Sequence, residues 1–290
     1  MQKVQDEDTG WQAVPTAIWL RHNWSTAKYS FIHSSPFPHV VIEEFFDDDF
    51  ANLLERYISA LELFPTSFRS LAQKKDQLSD VKFRAPTVQT AFDLLADDSF
   101  VDVLKDLSGT SDLVADEKLV AAGIHRLPPG GFTEIHLDAN RHPFNVSLHR
   151  RLNLIVYFNR DWSPDWGGEL ILWSTKNNRP FLPEKSILPA FSRAVIFESS
   201  PISWHSASKT SYLHAHDRYS LVSYYYSSHS KEGEDPRIRS NVWHSKTSLT
   251  RALLLESSNL LLTVAKPYAR PLRRLLRTKF DSADRALRKR

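Results

Sequence analysis

The sequence predicts an α+β protein that is mainly β, with helices in its N-terminal part and a β domain after them. Short apolar-alternating runs separated by turn signals begin at Leu119, which is typical of a sandwich or barrel-like β domain. The 8 Trp and 17 Phe favour aromatic-rich strands over a helical bundle. No βαβ alternation, phosphate-binding glycine motif or internal repeat is present in the sequence, which argues against nucleotide-binding and repeat folds.

The N-terminal part is predicted to contain an arm, one strand and two helical stretches. Residues 1–35 lack a clear period, so we expect a mostly irregular arm packed on the body. Residues 36–42 are typical of a proline-stiffened entry into a strand. Helices are predicted after Asp47 and over about residues 88–107, because apolar residues recur there at helical spacing. The second stretch is expected to break near Asp97.

The β domain is predicted to contain six strands with turns between them. We expect a mobile polar loop at 67–82 and turns at 128–131, 163–168 and 181–189. The domain organisation predicted is an arm (1–35), a domain (36–228) with a β core over about 119–228, and a C-terminal helical extension (229–290). The six strands are predicted at 119–127, 133–138, 152–158, 169–173, 193–197 and 218–227.

Composition excludes several classes of site and indicates a location. Cysteine is absent, so disulfides, zinc–thiolate sites, iron–sulfur clusters and Cys nucleophiles are excluded. The first residues lack the apolar stretch of a secretory signal. No uninterrupted apolar run reaches the roughly 18 residues that a membrane span needs. We therefore expect a cytoplasmic protein.

The basic charge is concentrated at the C-terminus. Residues 246–290 contain twelve Lys or Arg and three acidic residues, so a total formal charge of +3 leaves −6 for the rest of the chain. The body is therefore not expected to bind nucleic acid specifically. After Pro271 the apolar residues mark one face of a basic amphipathic helix. Such a helix can make a peripheral contact with anionic membrane, bind an acidic partner or dock on the body as a structural helix.

The motif that carries chemistry lies in residues 132–138, after a glycine-rich corner. Alternate side chains of a strand share a face, so His136 and Asp138 point one way and Leu137 the other. An imidazole and a carboxylate side by side form half of a metal site. His205, on a distant strand, is well placed to supply a third ligand. Two His and one carboxylate on one side of an ion leave open positions, as in non-heme Fe(II) oxygenases.

Several further segments follow a family pattern in order. They are the entry 36–42, the run 150–159, the sequence Gly-Gly-Glu-Leu at 167–170, and 218–221. With the candidate metal ligands, these segments make the chain resemble the prolyl-4-hydroxylase-like Fe(II)/2-oxoglutarate-dependent dioxygenases over about 36–228. The resemblance implies a double-stranded β-helix, a cupin-like jelly roll whose mouth holds iron.

The resemblance also implies residue roles. Arg218, thirteen residues after His205, matches the cation that grips the far carboxylate of 2-oxoglutarate, and Tyr157 matches a tyrosine that bonds the same group. Strand alternation adds side chains that share an inward face with these two. No catalytic residue is expected beyond the metal ligands. The implied iron ligands are His136, Asp138 and His205, and the implied cosubstrate pocket contains Arg218, Tyr157, Ser220, Asn153 and Ile155.

The implied function is that of an Fe(II)/2-oxoglutarate-dependent dioxygenase, an oxidoreductase that hydroxylates a C–H bond and releases succinate and CO2. Its cofactors would be Fe(II), 2-oxoglutarate and O2, with ascorbate as a further candidate. A prolyl residue in a protein or peptide is the first substrate expected. A small metabolite, lipid or saccharide is the alternative, because loops such as 139–149 and 179–188 select the substrate and spacing does not decode them. A non-catalytic binding module that uses the basic tail is the alternative from a different class.

Overall fold

A computed structural model describes residues 22–213, 216–231 and 237–244. The predicted basic tail helix and the first 21 residues of the predicted arm lie outside the described residues. The helices are α1 (Trp24–His33), α2 (Asp48–Ser59), α3 (Val81–Arg84), α4 (Pro86–Ala96) and α5 (Asp98–Ser108). The strands are β1 (His39–Ile42), β2 (Thr66–Arg69), β3 (Gln73–Leu78), β4 (Val114–Ala115), β5 (Gly123–Leu127), β6 (Phe132–Leu137), β7 (His149–Tyr157), β8 (Leu170–Lys176), β9 (Arg179–Ile187), β10 (Ala194–Glu198), β11 (His205–Ala207), β12 (Arg218–Ser227) and β13 (Val242–His244).

The described strands form a single antiparallel sheet that curls around a cavity. Its main path runs β1-β10-β7-β12-β5-β3-β6-β11-β8-β9, with β2 beside β3, β4 beside β12 and β13 beside β6. Side chains from eight of these strands line the same cavity, including β7 and β11, which are not neighbours in the sheet. The sheet must therefore bend back on itself, and the mainly β architecture predicted from the sequence is confirmed.

The two faces of the sheet have different roles, because side chains of a strand alternate between them. On β7, Leu154 and Val156 point outward and belong to the main hydrophobic core. Asn153 and Ile155, the residues between them, face the cavity. The outer face is covered by the helices, so the cavity lies on the inner face.

The helices begin and end at recognisable signals and are held by packing against the sheet. Asp47 caps α2, because its carboxylate accepts a hydrogen bond from the Phe50 N–H at 2.9 Å. Asp97 ends α4 and caps α5, so the predicted break at this residue is confirmed. Leu54 and Ile58 of α2 are fully buried in the core. Each such side chain contributes about 1.5–3 kcal/mol when it leaves water.

One prediction about the arm is wrong, since residues Trp24–His33 form a helix rather than irregular chain. Asn23 caps this helix by accepting a hydrogen bond from the Thr26 N–H at 3.1 Å. Lys28 forms an ion pair with Asp106 of α5 at 2.6 Å. The helical period is hard to detect in the sequence because only Ala27 and Phe31 of this helix are buried.

The predicted mobile loop at 67–82 is also wrong, because it contains β2, β3 and the start of α3. Strand β3 pairs with both β5 and β6 and so completes the cavity wall. Its sequence, Gln-Lys-Lys-Asp-Gln-Leu, has no apolar alternation because both of its faces are polar. The inner face borders the polar cavity, and on the outer face Asp76 is buried by ion pairs with Arg69 and Arg126 at 2.7 and 2.9 Å.

The predicted turn at 181–189 is wrong as well, since most of it belongs to β9. This strand contains Pro180 and Pro183, which supply no backbone N–H. Strand β9 pairs only with β8 among the described strands and lies at the edge of the sheet, where prolines are tolerated. Among the described residues, no helix has the length and apolar character required to cross a membrane.

Candidate active site

The inner face of the sheet lines a cavity that opens to solvent. Its wall is unusually polar for a protein interior and contains imidazole, carboxylate, amide, hydroxyl, ammonium and guanidinium groups. Apolar side chains such as Leu170, Phe197 and Val222 separate these groups. A buried cavity with this many ionisable groups is a candidate active site.

The structure brings His136, Asp138 and His205 together. One potential ligand atom from each residue lies within 4.8 Å of the others. His136 and His205 face each other directly across the β6–β11 pair, which places their ring centroids 4.2 Å apart. Asp138 follows the end of β6, and its carboxylate oxygens lie 3.6 Å from Nε2 of His136 and 3.7 Å from Nε2 of His205. The three side chains can hold one metal ion and leave other positions on the ion open.

Backbone carbonyls orient both imidazoles toward this centre. Nδ1 of His136 lies 2.8 Å from the Glu134 carbonyl, and Nδ1 of His205 lies 2.9 Å from the Ser203 carbonyl. Because a carbonyl only accepts, each Nδ1 carries the hydrogen and each Nε2 presents a lone pair toward Asp138. Burial, together with the nearby His136, lowers the pKa of His205 to about 4. The neutral form that ligates metals is therefore the one present at pH 7.

Asp138 is held as an ionised carboxylate. Burial by itself raises the pKa of Asp138, but the charge of Arg150 and the two imidazoles outweigh it and bring the pKa well below its usual range. Nη1 of Arg150 lies 3.3 Å from Oδ2 of Asp138. The amide of Asn153 donates a hydrogen bond to the same oxygen at 2.7 Å. Both partners contact Oδ2, so Oδ1 is the less encumbered oxygen for a metal.

Arg218 forms a second feature of the cavity. Its guanidinium is buried, lies 4.7 Å from the centre of the Tyr157 ring, and has an Nε without a hydrogen-bond partner among the described residues. Ser220 follows on the same face of β12 and also lines the cavity. A buried guanidinium with a free donor is suited to a carboxylate, which it can bind through two parallel hydrogen bonds.

Tyr157 lies behind Arg218 and is fully buried. Burial raises the pKa of Tyr157, and the charge of Arg218 partly opposes this. Its hydroxyl is buried, and Arg218 is the charged group beside it. The hydrogen bond from Tyr157 to a cosubstrate carboxylate stays a prediction.

The other two predicted pocket residues, Asn153 and Ile155, line the cavity but have different roles. Asn153 contacts Asp138, so its amide orients the candidate metal ligand. Ile155 lies on the same face of β7 and contributes apolar surface. All predicted site residues except Tyr157 therefore line the cavity or the metal centre directly.

Sequence reasoning missed four residues at this site. Arg150 begins the run that carries the family resemblance, but its contact with Asp138 is not visible from spacing. Lys75 and His125 line the cavity, and the sequence predicts a loop where β3, which carries Lys75, lies. Trp243 of β13 pairs with His136 and stacks on its ring at 4.8 Å between centroids. Only the tertiary pairing of β13 with β6 discloses this contact.

A family model matches the part of the chain that contains the three candidate metal ligands. The model of the 2OG-Fe(II) oxygenase superfamily matches residues 122–226, which confirms the resemblance predicted from the sequence. Prolyl 3-hydroxylase OGFOD1 of Xenopus laevis is 31% identical over 180 residues, covering 61% of this chain and 33% of that protein. Prolyl 3-hydroxylase OGFOD1 of Mus musculus is 38% identical over 61 residues, covering 21% of this chain and 11% of that protein. The chain thus spans a third or less of the length of these curated relatives.

A solved structure supports the fold. A prolyl hydroxylase from Trichoplax adhaerens, in complex with a hypoxia inducible factor oxygen degradation domain peptide fragment, matches with a TM-score of 0.51 and 15% identity. The match covers 70% of this chain and 89% of that chain. Together with the curled antiparallel sheet, this likeness confirms the predicted jelly roll.

Proposed function

We propose that this chain, whose residues 122–226 match the model of the 2OG-Fe(II) oxygenase superfamily, is an Fe(II)- and 2-oxoglutarate-dependent dioxygenase. The observation that carries the proposal is the clustering of His136, Asp138 and His205 in the wall of a cavity that also contains the buried guanidinium of Arg218. When bound, the iron and 2-oxoglutarate supply the oxidising chemistry that turns a C–H bond into an alcohol with O2, releasing succinate and CO2.

The three candidate ligands fit Fe(II) in their residue types and in their protonation states. The imidazoles are oriented through Nδ1, and Asp138 is ionised and positioned by Asn153 and Arg150. Aromatic rings cover both imidazoles, since Trp243 stacks on His136 and Phe197 meets His205 edge-on at 4.9 Å. These rings exclude water from the outer sides of the ligands, which strengthens electrostatic contacts at the centre.

Arg218 and its neighbours fit the far carboxylate of 2-oxoglutarate. The guanidinium is buried, so its attraction to a carboxylate is weakly screened by solvent. Gly168, at a φ of +79°, allows close packing, because a Cβ at this position would lie 3.1 Å from Cδ of Arg218. Ser220 can donate a further hydrogen bond from the same strand face. These residues bind and orient the cosubstrate, whereas the ligands hold the metal.

We further propose that the group hydroxylated is a prolyl residue in a protein or peptide. Two observations support this choice of substrate. The curated relatives named above are prolyl 3-hydroxylases, and the Trichoplax prolyl hydroxylase is bound to a peptide fragment. Since the chain spans only part of those relatives, the substrate needs its own test.

The proposed function is tested by adding Fe(II) and 2-oxoglutarate without O2 and recording the visible spectrum. We expect a weak charge-transfer band in the wild type and no band in Asp138→Ala. The matched control is Asp98→Ala, because Asp98 lies in the first turn of α5, outside the cavity. Admission of O2 with a prolyl peptide library should then yield succinate and products heavier by one oxygen atom. A wild-type protein that forms no band would contradict the dioxygenase assignment, and a band without oxidised peptide would contradict the prolyl substrate.

A further inference from the structure

Lys75 is a cation in the cavity that neither the metal centre nor the cosubstrate anchor uses. It lies on β3, where Asp76 points to the outer face and pairs with Arg126 at 2.9 Å. Strand alternation therefore directs Lys75 to the inner face, and its side chain lines the cavity beside His125 and Thr133.

The ammonium group of Lys75 has no hydrogen-bond acceptor among the described residues. Its Nζ lies 5.4 Å from the centre of the Phe68 ring, a contact with an aromatic face rather than with an anion. Burial lowers the pKa of Lys75 to about 8, with Asp138 opposing this and the charges of Arg150 and Arg218 adding to it. The positive charges of Arg150 and Arg218 thus act against the attraction of Asp138, and Asp138 itself is paired with Arg150.

The charges around the cavity leave one positive charge without a compensating carboxylate. Arg150 is paired with Asp138, and Glu169, which lies near Arg218, accepts a hydrogen bond from Ser208. The two positive charges of a divalent metal and the two negative charges of 2-oxoglutarate would cancel each other. Three cations then face two carboxylates, which leaves one positive charge. Because Arg150 is paired with Asp138 and Arg218 is assigned to the cosubstrate, Lys75 carries that charge.

We propose that Lys75 forms an anion subsite of the active-site cavity that takes one carboxylate of the substrate, such as an acidic side chain of a substrate peptide. This inference rests on the proposed function and narrows its substrate class to carboxylate-bearing molecules. A single surplus charge matches a monoanion, so a carboxylate fits better than a phosphate dianion. Thr133 lines the same cavity and can donate a further hydrogen bond to a carboxylate.

The subsite is separate from the cosubstrate anchor. Asp76 pairs with Arg126, so Lys75 lies next to Leu127 on β5, and Leu127 is paired with Arg218 on β12. The backbones that carry Lys75 and Arg218 are two strand spacings apart, roughly 10 Å. The two cations therefore enter the cavity from different strands, on either side of the strand that carries Leu127.

The test uses full-length protein loaded with Mn(II), which is paramagnetic and suits the same ligands, and saturated with 2-oxoglutarate. The probes are trifluoroacetate, a carboxylate that binds metals poorly, and its neutral analogue trifluoroacetamide. Fluorine relaxation caused by Mn(II) reports how much of each probe occupies the cavity. We expect wild type to relax trifluoroacetate about tenfold more than trifluoroacetamide, the preference of a charge-assisted contact.

Lys75→Met and Lys75→Gln should reduce the relaxation of trifluoroacetate to that of the amide, and Lys75→Arg should retain the preference. Lys74→Met is the matched control, because Lys74 carries the same charge one residue away and donates to the Pro129 carbonyl at 2.7 Å on the other face. Equal relaxation of trifluoroacetate by wild type and Lys75→Met would overturn the inference.

The affinity for 2-oxoglutarate, measured by calorimetry on the same samples, shows whether Lys75 binds a carboxylate of the substrate or one of the cosubstrate. We expect it to change less than about threefold in Lys75→Met, because Arg218 holds the cosubstrate. A loss of tenfold or more would assign Lys75 to the cosubstrate and overturn the subsite. Absence of 2-oxoglutarate binding in wild type would instead remove the proposed function and this inference together.

Discussion

Replacing Arg218 by Ala is expected to weaken 2-oxoglutarate binding strongly while the fold remains intact. The guanidinium is only 5% exposed, so solvent screens its contact with a carboxylate very little. Truncating one member of a buried, hydrogen-bonded charge pair typically costs about 2–5 kcal/mol. Ser220 and Tyr157 remain as neutral donors, so we expect about 3 kcal/mol, or roughly a 100-fold rise in the dissociation constant.

Arg218→Lys refines this expectation. The ammonium keeps the charge but loses the planar pair of donors, so we expect an intermediate loss of about tenfold. The dissociation constant is measured by calorimetry, with 2-oxoglutarate titrated into Mn(II)-loaded protein. Arg84→Ala is the matched control, since Arg84 is a solvent-exposed arginine paired with Asp80 on α3, outside the cavity. Each variant is melted beforehand to establish that it folds.

The result that would refute this reasoning is a folded Arg218→Ala protein whose 2-oxoglutarate affinity differs less than about threefold from that of Arg84→Ala. The cosubstrate anchor would then have to be another cation of the cavity. Lys75 is the alternative cation in the cavity wall among the described residues, so the double variant with Lys75→Met would decide between the two.

Further outcomes are expected for the metal ligands, for Asp76 and for the C-terminal tail. Alanine at any one of the three candidate metal ligands should abolish iron-dependent succinate formation, because two protein ligands do not retain Fe(II) against water; near-normal turnover would remove that residue from the metal site. Asp76→Asn should lower the free energy of unfolding at pH 7 by about 3 kcal/mol. Burial raises the pKa of Asp76, but hydrogen bonds from Ser67, Arg126 and Arg69 outweigh this and lower it below 3.8. Its contribution is therefore present above about pH 4 and lost as pH falls through the lowered pKa, so urea titrations should show a weaker acid dependence in the variant. Truncation before Lys246 should preserve Mn(II) affinity, whereas truncation before Asn241 removes Trp243 from its stack on His136 and should weaken it about tenfold, as calorimetry would show. If the tail is a membrane anchor, only the untruncated protein should float with anionic liposomes at low salt.

Local sequence determined which residues share a face and where helices start. Strand alternation over residues 132–138 predicts that the side chains of His136 and Asp138 share a face. In the structure both side chains lie at the candidate metal centre. The aspartates at positions 47 and 97 marked the starts of α2 and α5. These features depend on residues within a few positions of each other, because helical and strand periods are local properties of the chain.

Tertiary structure alone decided which strands are neighbours and therefore which distant side chains meet. Strand β3 is polar on both faces, so its sequence predicts a loop, yet its pairing with β5 and β6 brings Lys75 into the cavity. The pairing of β13 with β6 places Trp243 on His136, more than 100 residues away in sequence. Tertiary packing likewise brings Arg150 of β7 to Asp138, which follows β6. Such contacts are set by long-range register, and a strand's own residues specify its faces but not the partner that lies beside it.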